Sequence, residues 1–282
     1  MRIVFFDEFR LGVLGGAGGD RVVDVTGQVG GAELTPQDRL EALVAGWEEL
    51  GPALRAAAAG SGGVPLEGVR LRPPVPRPGQ LVCMAGNYRE PGRPDPVFNA
   101  FLKATTSVIG TGDTVELPDA EATVFHFEPE LALLIGKRAS HLTADGAMAH
   151  VFGYMQFIDV SARGLPGGFF LGKSWHTFAP LGPVLVTADE VPEPNRLRVR
   201  LAVNGTQRQE YSTADMGRPV PQLLADLTDV LTLEPGDVVA TGTHHVQLSP
   251  IQGGDRVRVT VEGLGPALDV AVHDSLSRTW EV

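Results

Sequence analysis

Hydrophobic and polar residues alternate with a period of two in several short segments, which is the pattern of strands with one buried face. The segment from Arg196 to Val203 alternates in this way, Asn204-Gly205 then supplies a hairpin turn, and the segment from Arg256 to Val261 repeats the pattern. Earlier strands are predicted around Ile3–Phe6 and Val22–Val25. The alternating arginines fit either a solvated sheet face or an anion-binding stripe, of which the solvated face is the simpler interpretation.

Helical periodicity is clear in one segment near the N-terminus. Thr35 and Asp38 have the positions of a capping box, and Pro36 suits the first helical turn. The apolar stripe that follows indicates a helix packed on the core rather than a cofactor site, and it consists of Leu40, Leu43, Val44, Trp47 and Leu50. Shorter helices are predicted near Ala144–His150 and near Pro221–Leu231.

The stretch Arg72–Gly79 marks the best domain boundary. Its four prolines fix their backbone angles and lack the N–H that a helix or an interior strand requires. The sequence therefore predicts a small N-terminal domain over residues 1–72 and a larger domain over residues 73–282. Because short strands dominate the second domain and helices are few, the expected fold class is a mixed, β-rich α+β fold.

Composition and charge narrow the classes of function. Of the 282 residues, 43% are hydrophobic and 20% are charged, and no apolar run is long enough to span a membrane. The net charge of −11 argues against nucleic acid or an anionic membrane as partner, yet it permits a small anionic substrate. Acids and Arg10 come too early for a secretory signal, so a cytoplasmic location is expected. The single cysteine, Cys83, excludes an internal disulfide and is expected to be a buried thiol.

Three acidic residues are the most informative part of the chain. Glu128 and Glu130 are two apart, so on a strand both side chains point to one face, and Asp159 ends another apolar run. Three carboxylates with no His or Cys at ligand spacing indicate a hard cation, Mg²⁺ or Mn²⁺, with Ca²⁺ as a further candidate. The alternatives are two exposed acids on an edge strand, which Pro129 favours, and a loop aspartate that caps the turn at Ser161.

Lys173 is the second candidate for chemistry. It lies in the apolar, glycine-containing segment Phe169–Trp175, where an unpaired ammonium would be costly to bury. Beside the three acids it would be paired, and it would stabilise an enolate or oxyanion that develops during a reaction. A surface lysine is the alternative.

From about Leu81 onward, the order and spacing of several short motifs resemble the fumarylacetoacetate hydrolase family. The motifs are Gly86-Asn-Tyr88, Glu128-Pro-Glu130-Leu, Ile135-Gly-Lys137, Gly153-Tyr154, Asp159-Val-Ser-Ala-Arg163, Gly172-Lys-Ser174, Leu181-Gly-Pro183, Val203-Asn-Gly205, Glu234-Pro-Gly-Asp237 and Thr241-Gly-Thr243. The resemblance implies a pseudo-symmetric β-roll or barrel, a homodimer, and an Mg²⁺ or Mn²⁺ ion held by Glu128, Glu130 and Asp159.

The resemblance also implies a substrate site. Lys173 and Thr243 would contact the carboxylate or oxo group of a small anionic 2-oxo acid. Asn87 and Tyr88, from the first of the motifs, would take part in binding the same substrate.

The sequence departs from the family pattern at the lid base. Family hydrolases place a histidine four residues after the asparagine of the Asn-Tyr motif and a glutamate three residues further on, but these positions hold Pro91 and Pro94. Water activation needs a base within hydrogen-bond reach. The candidates are Glu90, displaced by one residue, and the pair His244 and His245, for which a polar loop is the simpler interpretation.

Three functional hypotheses follow. The first is a metal-dependent hydrolase that cleaves a C–C bond of a small 2-oxo or 1,3-dicarbonyl acid of the acylpyruvate or fumarylacetoacetate type, with Lys173 and Glu90 as catalytic residues. Since loss of a base slows water activation by roughly 10²- to 10⁴-fold, the second is decarboxylation, tautomerisation or isomerisation of a 2-oxo diacid by the same metal–enolate chemistry. The third is a catalytically weak ligand-binding protein, motivated by the unusual Ile158, Gly164 and His244.

Overall fold

The computed structural model describes residues 1–16 and 18–281. The strands are β1 Arg2–Phe6, β2 Arg10–Gly15, β3 Arg21–Asp24, β4 Val64–Pro65, β5 Leu71–Arg72, β6 Leu81–Met84, β7 Ala100–Leu102, β8 Val108–Ile109, β9 Thr114–Leu117, β10 Val124–Ile135, β11 Val151–Arg163, β12 Ala179–Thr187, β13 Arg198–Val203, β14 Thr206–Ser212, β15 Val238–Ala240, β16 Arg256–Val261 and β17 Leu268–Asp274. The helices are α1 Pro36–Ala45, α2 Trp47–Ala59, α3 Ala144–Ala147, α4 Gly168–Lys173 and α5 Val220–Thr228.

Two sheets organise these elements. The strand order of the larger sheet is β4-β3-β2-β1-β12-β11-β10-β15-β6-β7, with β5 beside β1 and β8 beside β12. The smaller sheet has the order β14-β13-β16-β17-β9. Within the described residues neither order returns to its first strand, so neither sheet closes into a barrel. The mixed, β-rich α+β fold predicted from the sequence is confirmed.

The apolar run of β10 is continuous because both faces of this strand are covered. Leu131 and Leu133 belong to an apolar cluster that includes residues of α5, whereas Ala132 and Leu134 belong to a cluster that includes residues of α1. A strand buried on both faces does not need to alternate apolar with polar residues. The thiol of Cys83, on β6 of the same sheet, is buried as predicted.

The register between β10 and β11 fixes the positions of the acidic residues. Glu128 lies directly opposite Asp159, and Pro129 lies opposite Ile158. The strand on the other side, β15, pairs with β10 only from Ala132 onward, so the missing N–H of Pro129 lies outside that ladder. Because Glu128 and Glu130 are buried and Asp159 lies within β11, the structure contradicts the alternatives of exposed acids on an edge strand and a loop aspartate.

The N-terminal strands are continuous with the rest of the larger sheet. β1 pairs with β2 on one side. On its other side it pairs first with β12, through Arg2 opposite Val186 and Ile3 opposite Leu185, and then with β5. The division of the chain at residues 72 and 73 stays a prediction.

The N-terminal helix begins as predicted but ends earlier. Thr35 and Asp38 form the capping box, and Pro36 opens α1. The single helix predicted through Leu50 is wrong, because the chain leaves helical geometry at Gly46 (φ −89°, ψ 10°) before α2 begins. Glycine loses more conformational freedom in a helix than other residues do, which explains the break.

Other local predictions can be compared directly with the structure. The hairpin between β13 and β14 turns at Asn204 and Gly205, which have φ values of 50° and 80°, as a two-residue turn of this kind requires. Arg198 and Arg200 are exposed and pair with Glu210, in agreement with a solvated face. Among the residues that the structure describes, no helix has the length and apolar character needed to cross a bilayer.

Close packing between β11 and β12 leads to a first prediction. A Cβ atom added at Gly153 would overlap the backbone oxygen of Val186 on β12, so we expect Gly153→Ala to lower the free energy of unfolding by about 1–3 kcal/mol. Urea denaturation measures this change. In the control, Gly146→Ala, the new methyl meets only Thr143 Oγ1 at 3.6 Å, and stability should stay the same or rise slightly. Equal stability of the two variants would contradict the prediction.

Candidate active site

Three carboxylates meet on one face of the β10–β11 pair. Glu128 and Glu130 project from β10 and Asp159 from β11, and a ligand oxygen from each lies within 4.8 Å of the others. All three residues are buried, with relative exposures of 4%, 1% and 1%. The structure thus brings together the acids that the sequence predicts as metal ligands.

Three basic side chains neutralise this acidic cluster. Lys173 Nζ donates to Glu128 Oε2 at 2.9 Å and also to Asp159 Oδ2. Lys103 Nζ donates to the other oxygen of Asp159, and Arg163 Nη2 donates to Glu128 Oε1. Lys173 is buried, so the alternative of a surface lysine is wrong.

The positive charges are shared unequally among the acids. Burial would raise the pKa of Glu128, but the charges of Lys173 and Arg163 outweigh burial and lower it to about 2. Glu130 has no cationic partner among the described residues, so burial together with the charges of Asp159 and Glu128 raises its pKa well above the usual range. Burial would lower the pKa of Lys173, but the same two carboxylates raise it and keep the ammonium charged.

The free oxygen of Glu130 shows that the cluster fits a divalent cation. Gly242 N donates to Glu130 Oε2 at 2.7 Å, whereas the buried Oε1 accepts no hydrogen bond from any described residue. A buried acceptor without a partner is costly, and a cation beside it would remove that cost. Because all the potential ligand atoms are carboxylate oxygens, the site suits a hard ion held by Glu128, Glu130 and Asp159.

A small cavity of about 80 Å³ opens beside the acidic cluster. Its apolar wall includes Phe169, which stacks on Phe101 with ring centroids 4.4 Å apart. The charged and polar side chains that line it are Glu128, Arg163, Lys173, Thr243 and His245. The cavity therefore places an ammonium, a hydroxyl and an imidazole around one small space.

Asn87 and Tyr88 lie behind the cavity rather than on its wall, where Gly86 is the lining residue. Asn87 Nδ2 donates to the carbonyls of Arg218 and Thr241 at 3.1 and 3.0 Å, and its Oδ1 accepts from Arg218 N at 3.0 Å. The amide thus holds two loops together, and a direct contact with substrate stays a prediction. Tyr88 is buried, and burial raises the pKa of its hydroxyl.

Glu90 and His245, two candidates for the missing base, contact each other. Glu90 Oε1 accepts from His245 N at 3.1 Å and lies 3.3 Å from His245 Nδ1. The other oxygen of Glu90 pairs with Arg93 at 2.8 Å. His244, by contrast, accepts a hydrogen bond from Val246 N on its ring and does not line the cavity.

The sequence analysis missed Lys103 and the helix α4. The Lys103 ammonium is fully buried and contacts both Asp159 and, at 3.1 Å, the carbonyl of Val160. A signal was present, since Lys103 ends an apolar segment without an acid nearby, as Lys173 does. The helix α4 was not predicted because two glycines, which are poor helix formers, stand at its start. Gly167 and Gly168 have φ values of 95° and 62°.

Comparison with known proteins identifies the family. Residues 80–270, more than half of the chain, match the family model described as fumarylacetoacetate (FAA) hydrolase C-terminal. The chain therefore belongs to the fumarylacetoacetate hydrolase family, as its motifs indicate.

Individual relatives extend this similarity over most of the chain. Oxaloacetate tautomerase YisK of Bacillus subtilis (strain 168) is 35% identical over 221 residues, which cover 71% of this chain and 72% of that protein. The crystal structure of maleylpyruvate hydrolase from Sphingobium sp. SYK-6 has a TM-score of 0.88 at 34% identity and covers 98% of this chain and 100% of that chain. The complex of that hydrolase with manganese (II) ion and pyruvate has a TM-score of 0.87, 34% identity, and coverages of 97% and 99%. These relatives are enzymes, and this chain is an enzyme of the same family.

The free carboxyl oxygen of Glu130 leads to a second prediction, on metal binding. Glu130→Gln keeps the size of the side chain but removes its charge. Mutating a residue that only hydrogen-bonds to a metal ligand lowers metal affinity by about 10- to 100-fold, so for a ligand itself we expect Mn²⁺ affinity to fall by at least about 100-fold. The metal-free variant should lose no stability, since the removed charge has no cationic partner among the described residues. Calorimetric titration measures the affinity, and the exposed Glu121→Gln is the control. Unchanged Mn²⁺ binding in Glu130→Gln would contradict the assignment.

The buried position of Lys103 leads to a third prediction. Lys103→Met leaves one oxygen of Asp159 and the carbonyl of Val160 without their buried donor, and we expect a loss of about 3 kcal/mol in the free energy of unfolding. Adding Asp159→Asn should recover part of that loss, because the two side chains interact directly. Urea denaturation of the two single variants and the double variant measures the coupling. Additive effects would show that the contact does not contribute to stability.

Proposed function

We propose that this protein is a metal-dependent hydrolase that cleaves a C–C bond of a small acylpyruvate, with Mg²⁺ or Mn²⁺ as its cofactor. The observation that carries the proposal is the convergence of Glu128, Glu130, Asp159 and Lys173 beside one small cavity. The similarity to maleylpyruvate hydrolase over 98% of the chain supports the choice of reaction. The complex of that enzyme with manganese (II) ion and pyruvate supports the choice of metal and of a 2-oxo acid.

The metal ligands in this proposal are Glu128, Glu130 and Asp159. A divalent ion there supplies Lewis acidity, which polarises a 2-oxo group and stabilises negative charge on its oxygen. Lys173 adds a fixed positive charge at the same place, and its buried ammonium needs no reorganisation as an enolate forms. Thr243 lines the same cavity and orients the substrate carboxylate by a hydrogen bond.

Local charge explains how an acidic protein binds an anion. The three carboxylates are balanced by Lys103, Lys173 and Arg163, so a bound divalent ion leaves the site positive. A 2-oxo acid brings one or two negative charges and restores the balance. The net charge of −11 for the whole chain acts at longer range and is screened by salt.

Tautomerisation of oxaloacetate is the second candidate function. The cavity of about 80 Å³ favours a compact diacid over a long acylpyruvate, and YisK is an oxaloacetate tautomerase. Decarboxylation or isomerisation of a 2-oxo diacid would use the same residues. In each of these reactions the chain stabilises an enolate, so the alternatives differ in the bond that breaks. The remaining alternative, a ligand-binding protein with weak catalysis, is an outcome of the turnover test below.

Two further properties are carried as proposals, the first from the family resemblance and the second from the N-terminal sequence. They are a homodimeric state, which sedimentation equilibrium would test, and a cytoplasmic location, which fractionation of the native cells would test.

The role of Lys173 leads to a fourth prediction. Wild-type protein with Mg²⁺ or Mn²⁺ should hydrolyse maleylpyruvate to pyruvate, and removal of the metal with EDTA should abolish turnover. Lys173→Met should lower kcat by about 10²- to 10³-fold, the effect of removing one preorganised stabiliser of developing charge. Lys137→Met, at an exposed lysine, is the matched control and should keep wild-type kcat.

Assays with oxaloacetate under the same conditions separate the two candidate functions. Hydrolysis of maleylpyruvate without tautomerisation of oxaloacetate supports the hydrolase. The reverse result supports the tautomerase. Binding of oxalate without turnover of either acid supports the ligand-binding alternative.

A further inference from the structure

The position of the family's lid base is occupied by Pro91, yet an imidazole from another part of the chain faces the cavity beside the acidic cluster. His245 follows the Thr241-Gly-Thr243 motif and lines the cavity together with Lys173. Its side chain is 34% exposed, so a proton can pass between the ring and solvent. Imidazole is the side chain best suited to move protons near neutral pH.

One carboxylate oxygen fixes the orientation of this ring. Glu90 Oε1 accepts from the backbone N–H of His245 at 3.1 Å and lies 3.3 Å from ring atom Nδ1. A carboxylate beside Nδ1 favours the tautomer with its proton on Nδ1, which leaves the lone pair of Nε2 free to accept a proton. The Glu90 side chain is only 7% exposed, which strengthens the contact.

Glu90 is itself held in place. Arg93 Nη1 pairs with Glu90 Oε2 at 2.8 Å, and Arg93 N donates to the Glu90 carbonyl at 3.1 Å. The preceding residue, Arg89, donates its N–H to the carbonyl of Asp215 at 2.9 Å. Since both oxygens of Glu90 are engaged and the residue does not line the cavity, Glu90 is poorly placed to take a proton from substrate.

We propose that His245 is the general base of this enzyme and that Glu90 is the residue that positions it. The proposal rests on the proposed function, because it assigns the proton-transfer step of that same site. It differs from the family pattern, in which the lid supplies both the histidine and the acid, because here the lid segment supplies only the acid and the histidine comes from the loop after Thr243.

The proton transfer is balanced in both candidate reactions. In hydrolysis, Nε2 takes a proton from water, the hydroxide adds to the acyl carbon, and the C–C bond breaks with its electron pair passing to the enolate of pyruvate. The imidazolium then returns the proton to the enolate carbon. In tautomerisation, Nε2 takes a proton from the C3 methylene, the electron pair forms the C2=C3 bond, and the imidazolium protonates the enolate oxygen.

The test compares His245→Asn with the wild type in the presence of Mg²⁺. The readouts are maleylpyruvate hydrolysis, exchange of the pyruvate methyl protons for deuterium in D₂O, and oxalate binding by calorimetry. We expect hydrolysis and exchange to fall by about 10²-fold or more, the usual effect of losing a general base, with oxalate affinity within about threefold of wild type. The pair His273 and Glu116 is the matched control, since its Nδ1–Oε2 distance is 2.5 Å at an exposed site, and His273→Asn should change none of the three readouts.

The role of Glu90 has its own readout. Glu90→Gln should lower kcat by about tenfold with little change in KM, and ¹⁵N NMR of labelled histidine should show that His245 loses its preference for the Nδ1-protonated tautomer. A wild-type His245 that carries its proton on Nε2 would overturn the proposal.

The results distinguish a wrong assignment of His245 as the base from a wrong proposed function. Hydrolysis and exchange at wild-type rates in His245→Asn would overturn the base assignment and leave the proposed function in place. A wild type that neither turns over these acids nor binds oxalate would overturn the proposed function and the base assignment with it.

Discussion

The antiparallel register of β10 and β11 is the constraint on which the candidate site depends. It places Glu128 directly opposite Asp159, so that the carboxylates of two strands meet on one face. A shift of one residue would turn Asp159 to the other face of the sheet and separate it from Glu128. The apolar residues on both faces of β10 resist such a shift, because it would exchange the residues packed towards α1 with those packed towards α5. The hydrophobic core thus fixes the geometry of the polar site.

Burial of several like charges in one place is the second feature that organises the molecule. Lys103, which follows β7, and Lys173, in α4, approach Asp159 from distant parts of the chain, and Arg163 approaches Glu128 from the end of β11. Each contact offsets part of the cost of removing a carboxylate from water. Glu130 is the acid that these cations leave without a partner among the described residues, so folding produces a site in which one carboxyl oxygen remains available to a metal.

The local patterns of the sequence predicted much of this arrangement, and long-range contacts account for what they did not predict. The spacing of Glu128 and Glu130 and the capping box at Thr35 are local features, and both appear in the structure as expected. The contact of Lys103 with Asp159 spans 56 residues, and that of Glu90 with His245 spans 155 residues. No periodicity within a short window carries information about such pairs, so they emerge only when the sheet order is known.

The pairing of β1 with β12 affects the tendency of the protein to aggregate. A strand without a neighbour presents a row of free N–H and C=O groups, which is a template for association with other molecules. Along Leu185 and Val186, β1 occupies that position on β12. The N-terminal strands therefore shield the edge of the apolar strand β12 from pairing with other molecules. Transient detachment of these strands would expose that edge and promote aggregation.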